Sequence, residues 1–189
     1  MNKTFSDQEI IDKILDGDPA LFKELVTKYQ TFVYTLIVRI LHNEAESEEA
    51  AQDAFIKCFQ ALKSFTGKSK FSTWLYRIAF NTAISYKRKH RIEVSGLEGS
   101  AYKIASTSSA SEGVIRKEQM YFINSAINRL TPADATVITL FYKKELTLEE
   151  ISEITGMKIS AIKVKLFRAR KRLADELKSH LAYETESLL

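Results

Sequence analysis

Between Lys158 and Arg172 the chain carries seven cations, Lys158, Lys163, Lys165, Arg168, Arg170, Lys171 and Arg172, with no carboxylate among them. A merely solvated helix interleaves Glu with Lys at i,i+4, because like charges at that spacing cost roughly a few tenths of a kcal/mol per pair. Omitting every acid makes sense if an external polyanion offsets the repulsion; the bland alternative is an exposed basic helix with no partner. The residues in front of the run favour the first reading. Thr147-Leu-Glu-Glu150 has the form of a capping box, opening a helix that buries Leu148, Ile151 and Ile154. Gly156 supplies a left-handed residue to end that helix, and Ser160 is placed to cap the next. So short a turn forces the two helices to cross steeply, as in a helix-turn-helix. In the second helix Ile162, Leu166, Ala169 and Leu173 form the inward stripe. Ser160 and Ala161 lie at its N-terminus, where base edges and phosphates are first met. Lys163, Val164, Arg168 and, less squarely, Lys165 project outward. Arg or Lys can pair bidentately with guanine, whereas Arg170, Lys171 and Arg172 suit phosphates. Val164 can touch a thymine methyl but cannot donate a hydrogen bond.

A second segment mixes cations with flat rings. Lys68, Ser69 and Lys70 stand beside Phe71, Trp74 and Tyr76, with Arg77, Asn81, Lys87 and Arg88 further on. Single strands are held by basic side chains along the backbone and by rings against unstacked bases, at about 1–3 kcal/mol per base. The competing use of the rings is closure of a core, which suits Phe71 better than Trp74; Trp74 can serve both ends.

Other chemistry finds little support. His42, His90 and His180 are far apart, and the single cysteine, Cys58, has no ligand spacing around it. No Gly-x-Gly-x-x-Gly or phosphate-loop pattern occurs. The expectation is a protein that is not an enzyme, with no metal and no cofactor. Cys58 sits in a helix-like apolar stretch and reads as a small buried hydrophobe.

The elements that must position these residues are helices. Only two prolines and six glycines occur in 189 residues, which argues against an all-β fold. The net charge of +4 is a mild cationic excess, and its distribution matters more than its sum. Ser6-Asp-Gln-Glu9 is a capping box followed by Ile10, Ile11, Ile14 and Leu15 on one stripe. Gly17 ends that helix, and Asp18-Pro19 starts one that runs to about Leu41. A third helix is expected from Ser47 through Leu62, and a fourth from Ser72 or Thr73 into the basic cluster Lys87–Arg91. From Glu93 to Glu112 the texture turns to Ser, Gly and Thr without a sustained period, a flexible linker. Helices are then expected from Val114 to Leu130, from Thr131 through Tyr142, from Thr147 to Thr155 and from Ser160 to about Leu181, with 183–189 frayed. The predicted fold class is all-α: two small helical domains on a linker. No signal peptide is visible and no apolar run is long enough to span a bilayer, so a soluble, cytoplasmic protein is expected.

The stretch Leu130-Thr-Pro-Ala-Asp through Val-Ile-Thr-Leu-Phe-Tyr and Leu-Thr-Leu-Glu-Glu-Ile-Ser-Glu-Ile-Thr-Gly to Ala-Ile-Lys-Val-Lys-Leu-Phe-Arg-Ala-Arg-Lys-Arg-Leu resembles region 4 of the bacterial sigma-70 family. Upstream, Gln52-Asp-Ala-Phe-Ile-Lys57 and Phe71-Ser-Thr-Trp-Leu-Tyr-Arg-Ile-Ala-Phe-Asn81 resemble region 2. Two blocks in the right order, joined by a linker, look like the small extracytoplasmic-function (ECF) group. The resemblance implies region 2 at 1–92, a linker at 93–113 that threads toward the RNA exit path, and region 4 at 114–182. It implies core RNA polymerase and promoter DNA as partners, with the −35 element read as duplex and the −10 element as a melted strand. By the same resemblance Lys68, Ser69 and Lys70, next to Trp74, form the pocket for a flipped −10 base, and Arg77, Asn81, Lys87 and Arg88 lie along that strand or the adjacent duplex edge. Glu48, Glu49, Gln52, Asp53 and Lys57 would face the polymerase clamp, and Phe55 is either an anchor there or part of the core. Many relatives carry a small polar residue at Val164, so the −35 sequence is not carried over from any of them. The family commonly adds an anti-sigma protein as partner, which no residue here decides.

Rival classes make distinct demands. A stand-alone helix-turn-helix regulator usually dimerises to read two half-sites and leaves Lys68–Arg88 unexplained. An inhibitor of sigma factors would have no use for the basic helix.

Overall fold

A computed structural model of the protein describes residues 5–94 and 114–187; at 91–94, 114–119, 121 and 179–187 it gives the backbone alone. The described residues form eight α-helices and two short 3-10 turns, with no strand among them. The helices are α1 (Asp7–Leu15), α2 (Phe22–Leu41), α3 (Glu44–Ala61), α4 (Phe71–Val94), α5 (Val114–Asn128), α6 (Pro132–Lys144), α7 (Leu148–Thr155) and α8 (Ile159–Ser187). The chain divides into two compact units, the first built on α1 to α4 and the second on α5, α6, α8 and the start of α7. Most of the expected linker, 95–113, lies outside the described residues.

Local chemistry sets the helix starts. Both oxygens of the first capping box are in place: the Ser6 hydroxyl accepts from the Glu9 N–H, and Glu9 reaches back to the Ser6 N–H at 2.8 Å. Pro19 opens a 3-10 turn, Pro19–Leu21, in front of α2, and Asp18 makes no side-chain cap there. Helix α3 starts three residues before the expected Ser47. Its cap is Asn43, whose side chain accepts from the Glu46 N–H at 3.1 Å, after His42 has turned α2 off in the left-handed region (φ 55°). Ser47 is buried one turn inside the helix and donates to the Asn43 carbonyl, an i−4 bond that mimics a cap in sequence.

In the first unit α2, α3 and α4 pack on one another pairwise. Leu25, Val33, Leu36 and Ile37 of α2 meet this core with Ala50, Ala54 and Cys58 of α3 and Leu75, Ala79 and Ala83 of α4, all fully buried. The small residues recur at steps of four and let the helix axes approach. Each large aliphatic so buried contributes about 1.5–3 kcal/mol. Burial pushes the Cys58 thiol up to about 12, so at pH 8 it holds its proton and stays inert. Native protein should therefore resist a disulfide reagent such as DTNB at pH 8, and react promptly only when unfolded in guanidinium. Prompt labelling of the native chain would show that this three-helix core opens readily.

The second unit closes on Ile127, Leu130, Ala135, Ile138 and Ala169, with Leu173 packed against them. Thr131 caps α6 through its hydroxyl, which accepts from the Asp134 N–H at 3.3 Å, with Pro132 at the first helical position. The expected end of α8 is exceeded: the helix continues to Ser187, because no Gly or Pro follows Leu173 to stop it. Among the described residues no helix is long and apolar enough to cross a membrane.

Candidate nucleic-acid interface

Helices α7 and α8 are joined by Gly156, Met157 and Lys158 alone. The capping box of α7 forms on both sides: the Glu150 N–H donates to the Thr147 hydroxyl at 3.1 Å, and Glu150 accepts from the Thr147 N–H at 2.9 Å. Gly156 has φ +70°, with open space where a Cβ would stand, so the backbone turn and not crowding demands the glycine. The Ser152 hydroxyl donates to the Met157 carbonyl at 2.7 Å and ties the turn down. Helix α8 begins at Ile159, so Ser160 lies inside its first turn and is not the cap; the first turn closes through the Ile162 N–H on the Lys158 carbonyl. Ser160 needs no capping role to be useful, since it stays exposed at the end where N–H groups point outward.

Ile162, Leu166 and Ala169 are buried as the stripe requires. Ser160, Ala161, Lys163, Val164, Arg168, Arg170 and Lys171 are exposed. Arg170 folds back, its Nε donating to the Leu166 carbonyl at 3.2 Å. Lys165 and Arg172 do not share that freedom: each lies 3.7 Å from a carboxylate oxygen of Asp134. Phe167 went unnoticed in the sequence as a surface residue, yet it is 67% exposed between Lys163 and Arg168. Its position one step after the buried Leu166 was the available signal, since a residue there turns about 100° off the core.

In the first unit the aromatic residues sort themselves. Phe71 is buried, and Tyr76 is fully enclosed with its ring 4.7 Å from that of Phe32, so neither is a stacking surface. Trp74 is half-buried against Phe65 and Phe71, at 5.3 and 5.9 Å between centroids. Tyr29 supports this cluster from beneath, with its ring edge on Phe71 and its hydroxyl donating to Asp7. Burial first, and that hydrogen bond second, push the Tyr29 hydroxyl far above its ordinary range. Lys68 and Lys70 are exposed and Ser69 half-buried, immediately before α4. Along α4, Arg77, Asn81 and Arg88 share one exposed stripe with Ile84, at steps of four, three and four. Lys87 departs from it: its Nζ donates to the Ile40 carbonyl at 3.1 Å, where it serves the end of α2, and burial lowers its pKa.

Residues 25–92 match the family model for sigma-70 region 2, and residues 123–173 match that for sigma-70 region 4. The chain belongs to the sigma-70 family. It is 36% identical over 177 residues to the ECF RNA polymerase sigma factor SigW of Bacillus subtilis, covering 89% of this chain and 95% of that one. With the ECF RNA polymerase sigma-E factor of Escherichia coli K12 it shares 30% over 186 residues, covering 94% and 97%. Among solved structures it is similar to the sigma factor RpoE in complex with the anti-sigma factor NepR from Bartonella quintana. That match has TM-score 0.73 and 25% identity and covers 83% of this chain and 96% of that one. These likenesses place this sigma factor in the ECF group, as a transcription initiation factor working with RNA polymerase rather than an enzyme.

On α3 of this sigma factor Glu48, Glu49, Gln52 and Lys57 are exposed. Asp53 is half-buried, accepting from the Tyr86 hydroxyl at 2.9 Å with Lys57 at 3.8 Å. Burial and that bond push the Tyr86 hydroxyl up to about 12. Phe55 is 8% exposed and belongs to the core, its ring edge on Phe22. The apolar side chains that do reach the surface are its neighbour Ile56, 53% exposed, and Phe59, whose ring lies 5.0 Å from Phe22.

Proposed function

We propose that this sigma factor directs polymerase to promoters by reading the −35 element as duplex with α8 and holding the −10 element as a melted strand on the first unit. The observation that carries the reading is the exposure pattern of α8. Its apolar stripe is buried, while Lys163, Val164, Phe167 and Arg168 stand outward on a helix that contains no carboxylate before Asp175. The base-facing set is Ser160, Ala161, Lys163, Val164, Phe167 and Arg168; Arg170 and Lys171 face phosphates.

On the first unit Lys68, Ser69, Lys70 and Trp74 offer a cationic rim around one half-exposed indole, and Arg77, Asn81 and Arg88 continue along α4. Alanine at Trp74 should weaken strand holding by about 1–3 kcal/mol. Permanganate reactivity of −10 thymines in the open complex should fall accordingly, with duplex binding at −35 unchanged. Polymerase docking falls to α3, with Ile56 and Phe59 as the apolar centre and Glu48, Glu49, Gln52 and Lys57 around it. Tethered to polymerase, two weak readers gain by effective concentration. Working with polymerase puts the protein in the cytoplasm. One solved neighbour is a sigma factor bound to an anti-sigma factor, and we extend that class of partner to this chain.

Run-off transcription with core polymerase, followed by sequencing of the enriched promoters, tests the whole reading. Transcripts should start at a fixed distance from a shared pair of elements. Tight dimeric binding to duplex DNA without polymerase, and no transcript with it, would establish a stand-alone regulator instead.

A further inference from the structure

The acid missing from the basic run in sequence is supplied from another helix. Asp134 lies in the first turn of α6 and is 4% exposed. A carboxylate so enclosed needs cations or donors around it. Its two oxygens take one cation each: Lys165 Nζ lies 3.7 Å from Oδ1, and Arg172 Nη1 lies 3.7 Å from Oδ2. Positions 165 and 172 are two helical turns apart, so they share one flank of α8 beside the buried stripe. Lys163, Phe167 and Arg170 lie on the opposite side, and Val164, Arg168 and Lys171 between. Lys165 is mostly covered, with a quarter of its side chain exposed.

We propose that Asp134 is a positioning residue that acts as an internal stand-in for a phosphate. It holds Lys165 and Arg172 back from the DNA backbone and turns the base-reading face of α8 outward. The contacts at 3.7 Å are longer than hydrogen bonds, and half of the Arg172 side chain meets water. Their consequence is for charge. Sequence-independent binding grows with every cation free to displace a counterion from a phosphate. Two cations that share the single charge of Asp134 and are held within the fold make no phosphate contacts, while contacts to base edges remain. The ratio of specific to non-specific binding rises, and free sigma factor is kept from random duplex. This rests on the reading of α8 as the duplex-binding helix.

The experiment uses the full chain and a scrambled-sequence duplex, with affinity followed by fluorescence anisotropy between 50 and 200 mM salt. Asp134→Asn should bind the scrambled duplex more tightly at low salt. Its loss of affinity across that salt range should deepen by about 3.5-fold per released cation, or about 12-fold for both. Lys165→Gln with Arg172→Gln should leave the salt response of the wild-type chain nearly unchanged, yet cancel the gain in the Asp134→Asn background. A purely structural Asp134, complementing the α6 dipole, would shift the melting temperature without moving the salt response. An unchanged salt response in Asp134→Asn overturns the proposal. If Asp134→Asn does not fold, the Gln pair alone decides: a near-wild-type salt response supports the proposal, and one about 12-fold shallower refutes it. Lys163→Ala with Arg168→Ala tests the underlying reading separately. Should that pair leave duplex binding untouched, the assignment of α8 fails; should it weaken binding while Asp134→Asn changes nothing, only the role of Asp134 fails.

Discussion

Alanine at both Lys163 and Arg168 should abolish transcription from this sigma factor's own promoter while leaving its binding to core polymerase intact. Both side chains are exposed on α8, and neither has a carboxylate partner in the salt bridges that hold Lys165 and Arg172. Each is free to make a bidentate pair with a guanine edge, worth about 1–3 kcal/mol of discrimination. Loss of two such contacts amounts to about 2–6 kcal/mol, or on the order of 30- to 10,000-fold in promoter occupancy. The fold should not suffer, since exposed substitutions away from caps and cores usually stay within about 0.5 kcal/mol. Run-off transcription and a polymerase-binding titration on the same preparation separate the two effects. Lys171→Ala is the matched control: as a phosphate contact it should weaken all duplexes alike. If transcription survives the double substitution, the reading face lies on another side of α8.

The second large effect should come from Ile56→Asp. A charge placed at the centre of an apolar docking patch costs at least as much as a hot-spot truncation, about 2 kcal/mol or more, so polymerase affinity should fall by about 30-fold or further. The side chain is exposed, and the melting temperature should hardly move. Phe55→Ala should do the reverse. Its ring is buried against Phe22, and removing a buried phenyl group costs about 3–5 kcal/mol of stability through the cavity it leaves. Adjacent residues on one helix would thus fail in different assays, one in binding and one in folding. Normal polymerase binding by Ile56→Asp would move the docking face off α3.

The sequence by itself determined what is settled within a few residues. The capping boxes at Ser6–Glu9 and Thr147–Glu150, the turn at Gly156 and the stripe Ile162–Leu166–Ala169 are all present as written, because each depends on contacts within one or two helical turns. The all-α class and the two-domain order follow from the same local signals together with the motifs. Where two local signals compete the reading slips. Asn43 and Ser47 both suit a cap, and the left-handed His42 decides for the first. Ser160 likewise resembles a cap but sits one residue inside α8.

Only the tertiary structure decided the pairings made across the chain. Asp134 meets Lys165 and Arg172, Lys87 meets the Ile40 carbonyl, Tyr86 meets Asp53, and Tyr29 meets Asp7. Phe55 goes inward and Ile56 outward for a related reason. Consecutive residues differ by about 100° around a helix, so the rotation at which α3 packs on its neighbours chooses between them. That rotation is set by the side chains of α2 and α4 together, and no window within α3 contains it.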